Sequence, residues 1–216
     1  MNHFGEHLST DTMVTVATPA TRTRYARGEG DRLRSDLLDA AAALIGSHGE
    51  IEAVSLRAVA RRAGVSPTAV YRHFEDHDQL IRGAVDHCWA NFYEVLREAG
   101  GSSDDPFVAF RSMGDAYVRY AMERPGQYRV LFSDKVDLGD GKAPGGMAAF
   151  QLLVDAVAHM LAVIHDPRDP FFVAVQVHTW IHGIVTLCGA HPDMPWPEVD
   201  ELLDGLAEAL GLRPAP

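Results

Sequence analysis

The side chains with the most obvious chemistry in this sequence are two histidines. His178 and His182 stand four residues apart, so on a helix both rings leave from one face, a spacing that can bind zinc. Thr179 occupies the place where a zinc hydrolase would carry its glutamate, and a third ligand would have to come from His159 or His165. No metal is assigned on this basis, and the pair reads as structural or ligand-bonding imidazoles. There is no Gly-Xaa-Ser-Xaa-Gly elbow, no phosphate-binding glycine loop and no paired cysteine motif, so no catalytic residue and no cofactor are assigned. A different chemistry is offered by Thr68, Ala69, Tyr71, Arg72 and His73. Arginine can take guanine bidentately, threonine and alanine methyls can touch a thymine methyl, and tyrosine and histidine donate to phosphate. A third group is aromatic and soft: Trp89, Phe110, Met113, Tyr117, Tyr128 and Phe150 are of the type that walls an apolar small-molecule cavity. Tyr117, Gln127, His159, His178 and His182 are its candidate polar groups.

The elements that must position these residues can be read from the same rows. In SLRAVARRAGVSPTAVYRHFEDHDQL, residues 55–80, Leu56, Val59, Ala60 and Ala63 fall at i, i+3, i+4 and i+7, one face of a helix. Gly64 ends that helix, and Ser66 with Pro67 caps and opens the next, about two turns long. Val70 and Phe74 share its inner face, leaving Thr68, Ala69, Tyr71, Arg72 and His73 outside. A short second helix with a polar, basic outer face is the form of a helix-turn-helix that lies in the DNA major groove. Ser55 and Arg57 at the start of the first of these helices are expected on phosphate, and Ser66 is counted with the DNA-facing residues.

Residues 37–82, from LLDAAAALIGSHG through VSPTAVYRHFEDHDQLI, resemble the DNA-binding domain of TetR-type transcriptional regulators. The resemblance rests on a first helix ending near Gly49, the Ser-Leu-Arg start of the second helix, Ala60, Gly64 and the run VSPTAVYRHF. It implies an all-α fold, a homodimer joined through the two C-terminal helices, and an effector held behind the helix that connects head to body. It also places His77 where relatives commonly carry a phosphate-contacting lysine. His182-Gly183 is similar to a His-Gly pair common in the penultimate helix of such regulators, where Gly183 would permit close helix contact.

Taken in order, residues 1–20 are polar and aperiodic and read as a disordered tail, with Met1 or Met13 as the start. Residues 21–83 form the helix-turn-helix domain with a basic arm, in which Arg22 and Arg24 are expected to track phosphate or enter the minor groove. Its first helix is expected from Asp31 to His48 with a stripe of Leu33, Leu37, Leu38, Ala41, Leu44 and Ile45. Residues 84–216 form a helical ligand-binding and dimerisation body. A rod from Asp76, N-capping with Gln79 three residues on, to about Ala99 joins the two. Further helices follow Asp105–Pro106, Pro125 and Asp169–Pro170, with a turn-rich stretch at 134–146, one helix through Phe150 to Ile164, and a last helix from about Pro197 to Leu210. That makes about nine helices and no strand.

Net charge is −11 and uneven. Residues 21–82 hold ten Arg against nine Asp or Glu, whereas residues 83–216 hold nine Lys or Arg against nineteen acids. Only the head is not repelled by a polyanion, and an acidic body behind it can orient the molecule on DNA. No apolar run is expected to reach membrane-span length, and residues 1–24 are no secretory signal. Cys88 and Cys188 read as buried thiols of a reducing cytoplasm. The penultimate helix, FFVAVQVHTWIHGIVTLCGA, is apolar nearly all round and is expected to be buried on both sides. The reading is a cytoplasmic, ligand-responsive repressor that binds a palindromic operator in double-stranded DNA as a homodimer. A small apolar or aromatic effector releases it, with no membrane partner. The alternatives are a constitutive DNA binder without effector, or a helical enzyme or metal-binding protein using the body's histidines.

Overall fold

The computed structural model describes residues 30–48, 51, 54–133 and 144–212. The expectations for the 1–20 tail, the arm residues Arg22 and Arg24, the helix end at Gly49, and residues 134–143 of the turn-rich stretch lie outside the described residues. Among the described residues the chain is all-α: α1 (Gly30–His48), α2 (Leu56–Arg62), α3 (Pro67–Val70), α4 (His77–Gly100), α5 (Pro106–Glu123), α6 (Pro125–Leu131), α7 (Pro144–Val163), α8 (Pro170–Ala190) and α9 (Val199–Ala209). Five of these helices open on proline, at a position whose N–H would have no intrahelical partner anyway. Asp105 and Asp169 cap α5 and α8 by accepting from the backbone N–H of Phe107 (2.8 Å) and Phe171 (3.1 Å).

In the head, α1 to α3 close over Leu37, Ile45, Val54, Val59, Val70, Phe74 and Leu80, each with at most 1% of its surface exposed. Gly64 takes φ 69, the left-handed conformation that lets the chain turn between α2 and α3. A helix as short as α3 cannot stand on its own hydrogen bonds. Burial of Val70 and Phe74 holds it, each contributing about 1.5–3 kcal/mol. The head's core runs on without a break along α4 through Ala84, Val85, Cys88, Trp89, Phe92 and Leu96. At 24 residues, α4 reaches about 36 Å and ties head to body. A second apolar cluster lies where α7, α8 and α9 meet, around Val157, Met160, Val177 and Leu206.

The structure departs from the sequence expectations in five places. The second helix of the helix-turn-helix is one turn, not two: Tyr71, Arg72 and His73 lie in the turn that follows, with His73 N–H on the Val70 carbonyl at 2.9 Å. Cys88 is buried but Cys188 is only half-buried. α8 is not buried on both sides within the chain. Val173, Ala174, Val177, Ile181 and Ile184 face inward, while Phe172, Val175, Trp180 and Leu187 are exposed. Gly183 makes no close helix contact, since a Cβ there would meet no atom within 4 Å. Finally, residues 145–163 and 170–190 are each long and apolar enough to cross a membrane by length and composition. The expectation of no such run fails because α8 is apolar on its exposed face as well, and α7 carries few charged residues.

Candidate functional site

Two regions carry the candidate residues: the outer face of the head and a cavity in the body. In the head, side-chain caps fix the reading elements. Ser55 Oγ accepts from Ala58 N–H at 3.2 Å and Ser66 Oγ from Ala69 N–H at 3.3 Å. Asp76 accepts from Gln79 N–H at 2.7 Å while the Gln79 amide oxygen takes Glu75 N–H at 2.6 Å, a capping box shifted by one residue. Both serine hydroxyls keep a proton to donate. Ser55, Arg57, Thr68, Tyr71 and Arg72 are exposed, and Ser66, Ala69 and His73 are half-buried, so the outward set sits on one continuous stretch from α2 to the turn after α3. His77 is used differently from a phosphate-contacting lysine. Its Nε2 lies 2.6 Å from the Val54 carbonyl, pinning the start of α4 to the segment before α2, and its Nδ1 lies 3.7 Å from Asp78.

The body encloses a cavity of about 620 Å³ between α4, α5, α7, α8 and α9. Six of the ten residues expected there line it: Trp89, Phe110, Met113, Tyr117, Phe150 and His178. Tyr128 and His182 stand one layer behind the wall. His182 Nδ1 is 2.6 Å from the Tyr128 hydroxyl, which is 2.9 Å from the Tyr117 hydroxyl. Burial pushes the Tyr128 phenol up to about 12 and raises Tyr117 further, so both stay protonated. Burial also lowers the His182 imidazolium, which favours the neutral ring. In the tautomer with Nδ1 unprotonated, Tyr128 donates to His182 and Tyr117 donates to Tyr128. The His178 ring stacks on His182 with centroids 5.8 Å apart and lies edge-on to Tyr117 at 6.3 Å. Burial first, and the charge of His182 second, hold His178 below the usual histidine range.

Two expectations for the cavity are corrected. His159 is exposed on α7, two residues past the inward-facing Val157 and so on the opposite side of the helix. Gln127 does not reach the cavity: its amide donates to the Ala42 carbonyl of α1 at 3.0 Å and its oxygen accepts from the buried Tyr120 hydroxyl at 3.1 Å. His165 ends α7 with φ 55 and is exposed. Among the described residues no three His, Cys, Asp or Glu side chains converge as metal ligands.

Sequence reasoning missed the cavity's charged rim. Arg111 lines it and bridges α5 to α9, with Nη2 2.6 Å from Asp200 and 3.2 Å from Asp115, and Nη1 3.0 Å from Asp204. The signal was Asp115 four residues after Arg111 on one helix and Asp200 four residues before Asp204 on another, patterns that meet only once the fold is known. Two buried donors on wall residues, Trp89 Nε1 and Arg111 Nε, have no hydrogen-bond partner among the described residues.

The cavity and the head share a second link besides α4. The N-terminal end of α6 lies against α1 so closely that a Cβ on Gly126 would sit 2.5 Å from the carbonyl oxygens of Ile45 and Gly46. On the same short helix are Gln127, bonded to α1, and Tyr128, bonded toward the cavity, while Phe132 at its end lines the wall. His87 of α4 adds a 2.7 Å contact to Asp39 of α1.

Comparison with known proteins agrees with this arrangement. Residues 37–84 match the family described as bacterial regulatory proteins, tetR family, and residues 110–210 match the tetracyclin repressor-like C-terminal domain. Among solved structures the chain is similar to a protein of unknown function from Rhodococcus sp. RHA1, at 25% identity, 82% of this chain, 93% of the other and a TM-score of 0.70. It shares its fold with a TetR family transcription regulator from Marinobacter aquaeolei VT8, at 19% identity, 85% and 98% coverage and a TM-score of 0.61. The same holds for the transcriptional regulator FadR from Bacillus subtilis in complex with stearoyl-CoA, at 13% identity, 82% and 96% coverage and a TM-score of 0.65. An exposed helix-turn-helix face, an aromatic cavity coupled to it and matches to both halves lead to one conclusion: this chain belongs to the TetR family of DNA-binding transcriptional regulators.

Proposed function

We propose that this regulator is a cytoplasmic, ligand-responsive repressor that binds a palindromic operator as a homodimer and is released by a small, largely apolar effector. The observation that carries the reading is the 620 Å³ aromatic cavity, because it is built on α4 and abuts α6, the two helices that also touch the head. A ligand there acts only through its differential affinity for two arrangements of those helices. Movement of α4 and α6 against α1 changes the separation of two heads, which then no longer meet successive major grooves.

Residues 21–83 serve as the DNA-binding domain and residues 84–216 as the ligand-binding and dimerisation domain. Thr68, Ala69 and Arg72 read base edges, and Ser55, Arg57, Tyr71 and His73 take phosphates, with the arm residues Arg22 and Arg24 alongside. The dimer is supported by the open apolar face of α8, where Phe172, Val175, Trp180 and Leu187 are exposed. α9 contributes less to that face than its leucine stripe suggests, since Leu203 and Leu206 are buried in the chain's own core and Asp200, Glu201 and Glu208 point outward.

The test is selection of bound duplexes from random DNA, followed by salt titration of the winner. A palindrome whose affinity falls by roughly 0.9 log units per log unit of salt for each neutralised phosphate is expected. Tyr71→Phe with His73→Ala should weaken binding to all sequences and flatten that slope, whereas Arg72→Ala should cost about 1–3 kcal/mol and relax preference at one position. An enriched palindrome that no compound releases would leave a constitutive binder instead.

A further inference from the structure

We infer that the cavity is built for an uncharged lipophile whose single hydrogen-bonding oxygen is held by His178, and that it rejects carboxylates, acyl-CoA-like anions and lipophilic cations. The inference rests on the effector reading above and says which chemical class fills the site.

The wall is aromatic and aliphatic, with Trp89, Phe92, Phe110, Phe132 and Phe150 around the space. Among the described residues the charged or polar side chains that line it are Arg111, Asp204, Tyr117 and His178, besides the indole N–H of Trp89. Arg111 is the one cation of that set. Its two terminal nitrogens already face Asp115, Asp200 and Asp204 at 2.6 to 3.2 Å, so three carboxylates surround one guanidinium. An anionic headgroup arriving there meets net negative charge, with both terminal nitrogens already taken and only the buried Nε without a partner among the described residues. A cationic headgroup fares no better. Asp200 and Asp204 are the more exposed members of the cluster, at 81% and 57%, and are engaged by Arg111, so solvent screens what attraction remains. Asp204 is the one carboxylate among the lining residues and is engaged by Arg111, so elsewhere a cation meets ring faces alone.

The deep part is instead polar without charge. The Tyr117 hydroxyl is engaged with the Tyr128 hydroxyl at 2.9 Å, and Tyr128 with His182 Nδ1 at 2.6 Å, so these groups satisfy one another within the wall. His178, packed against His182, Tyr117, Phe132 and Phe150, makes no hydrogen bond among the described residues, yet its ring is part of the wall. As a neutral imidazole it offers one donor and one acceptor. A hydroxyl satisfies either nitrogen, and a carbonyl satisfies the donor. A carboxylate can also accept from the imidazole N–H, but its charge is compensated there only by an imidazolium, which burial and the neighbouring His182 both oppose. The FadR of Bacillus subtilis, similar in fold at 13% identity, is known with stearoyl-CoA bound. The present cavity shares the architecture, and its described polar groups do not suit that anion.

The experiment uses the full chain and four probes of one chain length: 1-decanol, decanoate, decyltrimethylammonium and decane. Binding is read at pH 7.5 by displacement of a fluorescent lipophile and by calorimetry. Decanol should bind at least ten-fold more tightly than either charged probe. His178→Phe should lower decanol affinity about ten-fold while leaving decane unchanged, and His178→Gln, which keeps a donor and an acceptor, should recover most of the loss. Equal or tighter binding of decanoate or of the ammonium would overturn the inference while leaving the effector reading intact. So would a decanol affinity indifferent to His178→Phe. Failure of all four probes, decane included, to enter the cavity would overturn both.

Discussion

The bonds that shape the head's reading elements and those that shape the body's cavity differ in kind. In the head, Ser55, Ser66 and Asp76 each accept from a backbone N–H three residues on, and each bond closes a helix end within one turn. In the body the deciding bonds are long in sequence: Tyr128 to His182 spans 54 residues, Gln127 to Ala42 spans 85, and Arg111 to Asp204 spans 93. Local capping makes the head a small, self-consistent unit whose outer side chains are free for DNA. Long-range bonds make the body's cavity a product of packing, so the cavity's lining can vary without disturbing the reading elements. The coupling between the two falls on α6, a seven-residue helix that carries both kinds of neighbour.

The sharpest way to break this contrast is at the body's outer face, where the apolar residues of α8 are exposed. Trp180→Glu places a carboxylate on the open side of α8, at a position 42% exposed in the single chain. The fold should survive, but a dimer interface would have to desolvate the charge. Sedimentation should show monomers, and affinity for a palindrome should fall by roughly 100-fold or more as the second half-site is lost. A variant that stays dimeric would move the interface off α8.

Gly126→Ala tests the junction itself. The new methyl has no room beside the Ile45 and Gly46 carbonyls, and neither backbone oxygen can rotate away. Overpacking of this kind costs about 1–3 kcal/mol. That corresponds to a fall in Tm of roughly 2–12 °C for a chain of this size. Because α6 must back away from α1, ligand-driven release of DNA should weaken more than DNA binding does. Measuring operator affinity with and without ligand separates the two.

Smaller effects compare one bond from each region. Ser66→Ala removes a local cap and should cost about 1 kcal/mol, expressed mainly as weaker DNA binding because α3 frays. Gln127→Ala removes a bond of similar strength, about 1 kcal/mol, and leaves the Ala42 carbonyl and the buried Tyr120 hydroxyl to find other partners. Its unliganded DNA affinity should stay nearly intact while the ligand's effect on it shrinks. If both variants moved the same quantity, the division between local and long-range bonding would fail.

The same division explains how far the sequence could be read. The positions of Gly64, Ser66, Pro67 and Asp76 announce the head because each acts on backbone a few residues away. Helix starts at Pro106 and Pro170 were legible for the same reason. Six cavity residues were found because aromatic and soft side chains gather where helices cross. His159 and Gln127 were misplaced, and Arg111 missed, because hydrogen-bonding capacity in a sequence does not say which distant element will meet it. The sequence placed both faces of α8 out of solvent without saying which meets the chain's own core, since a helix apolar all round is equally suited to a core and to an interface with a second molecule.

The body's stacked histidines give the mildest prediction and one the head does not share by geometry. His178 and His182 are both lowered by burial, so the folded state resists protons that the unfolded chain accepts. As pH falls below the ordinary histidine range near 6.5, the unfolded chain binds those protons first, and stability conferred by neutral imidazoles is lost as pH drops toward their folded values. Asp115 works the other way: burial raises it, so protonation relieves it, but in the carboxylate range and below this window. Between pH 7.5 and 5.5 Tm should therefore fall. The slope should flatten in a His178→Gln, His182→Gln variant, whose amides do not titrate. Loss of His182's neutral nitrogen also releases the proton chain from Tyr128 and Tyr117. Acid should accordingly loosen the cavity before it touches the capped head, and hydrogen exchange at pH 5.5 should report faster opening in α5 and α8 than in α2 and α3. Uniform protection across all four helices would mean that the two regions melt as one.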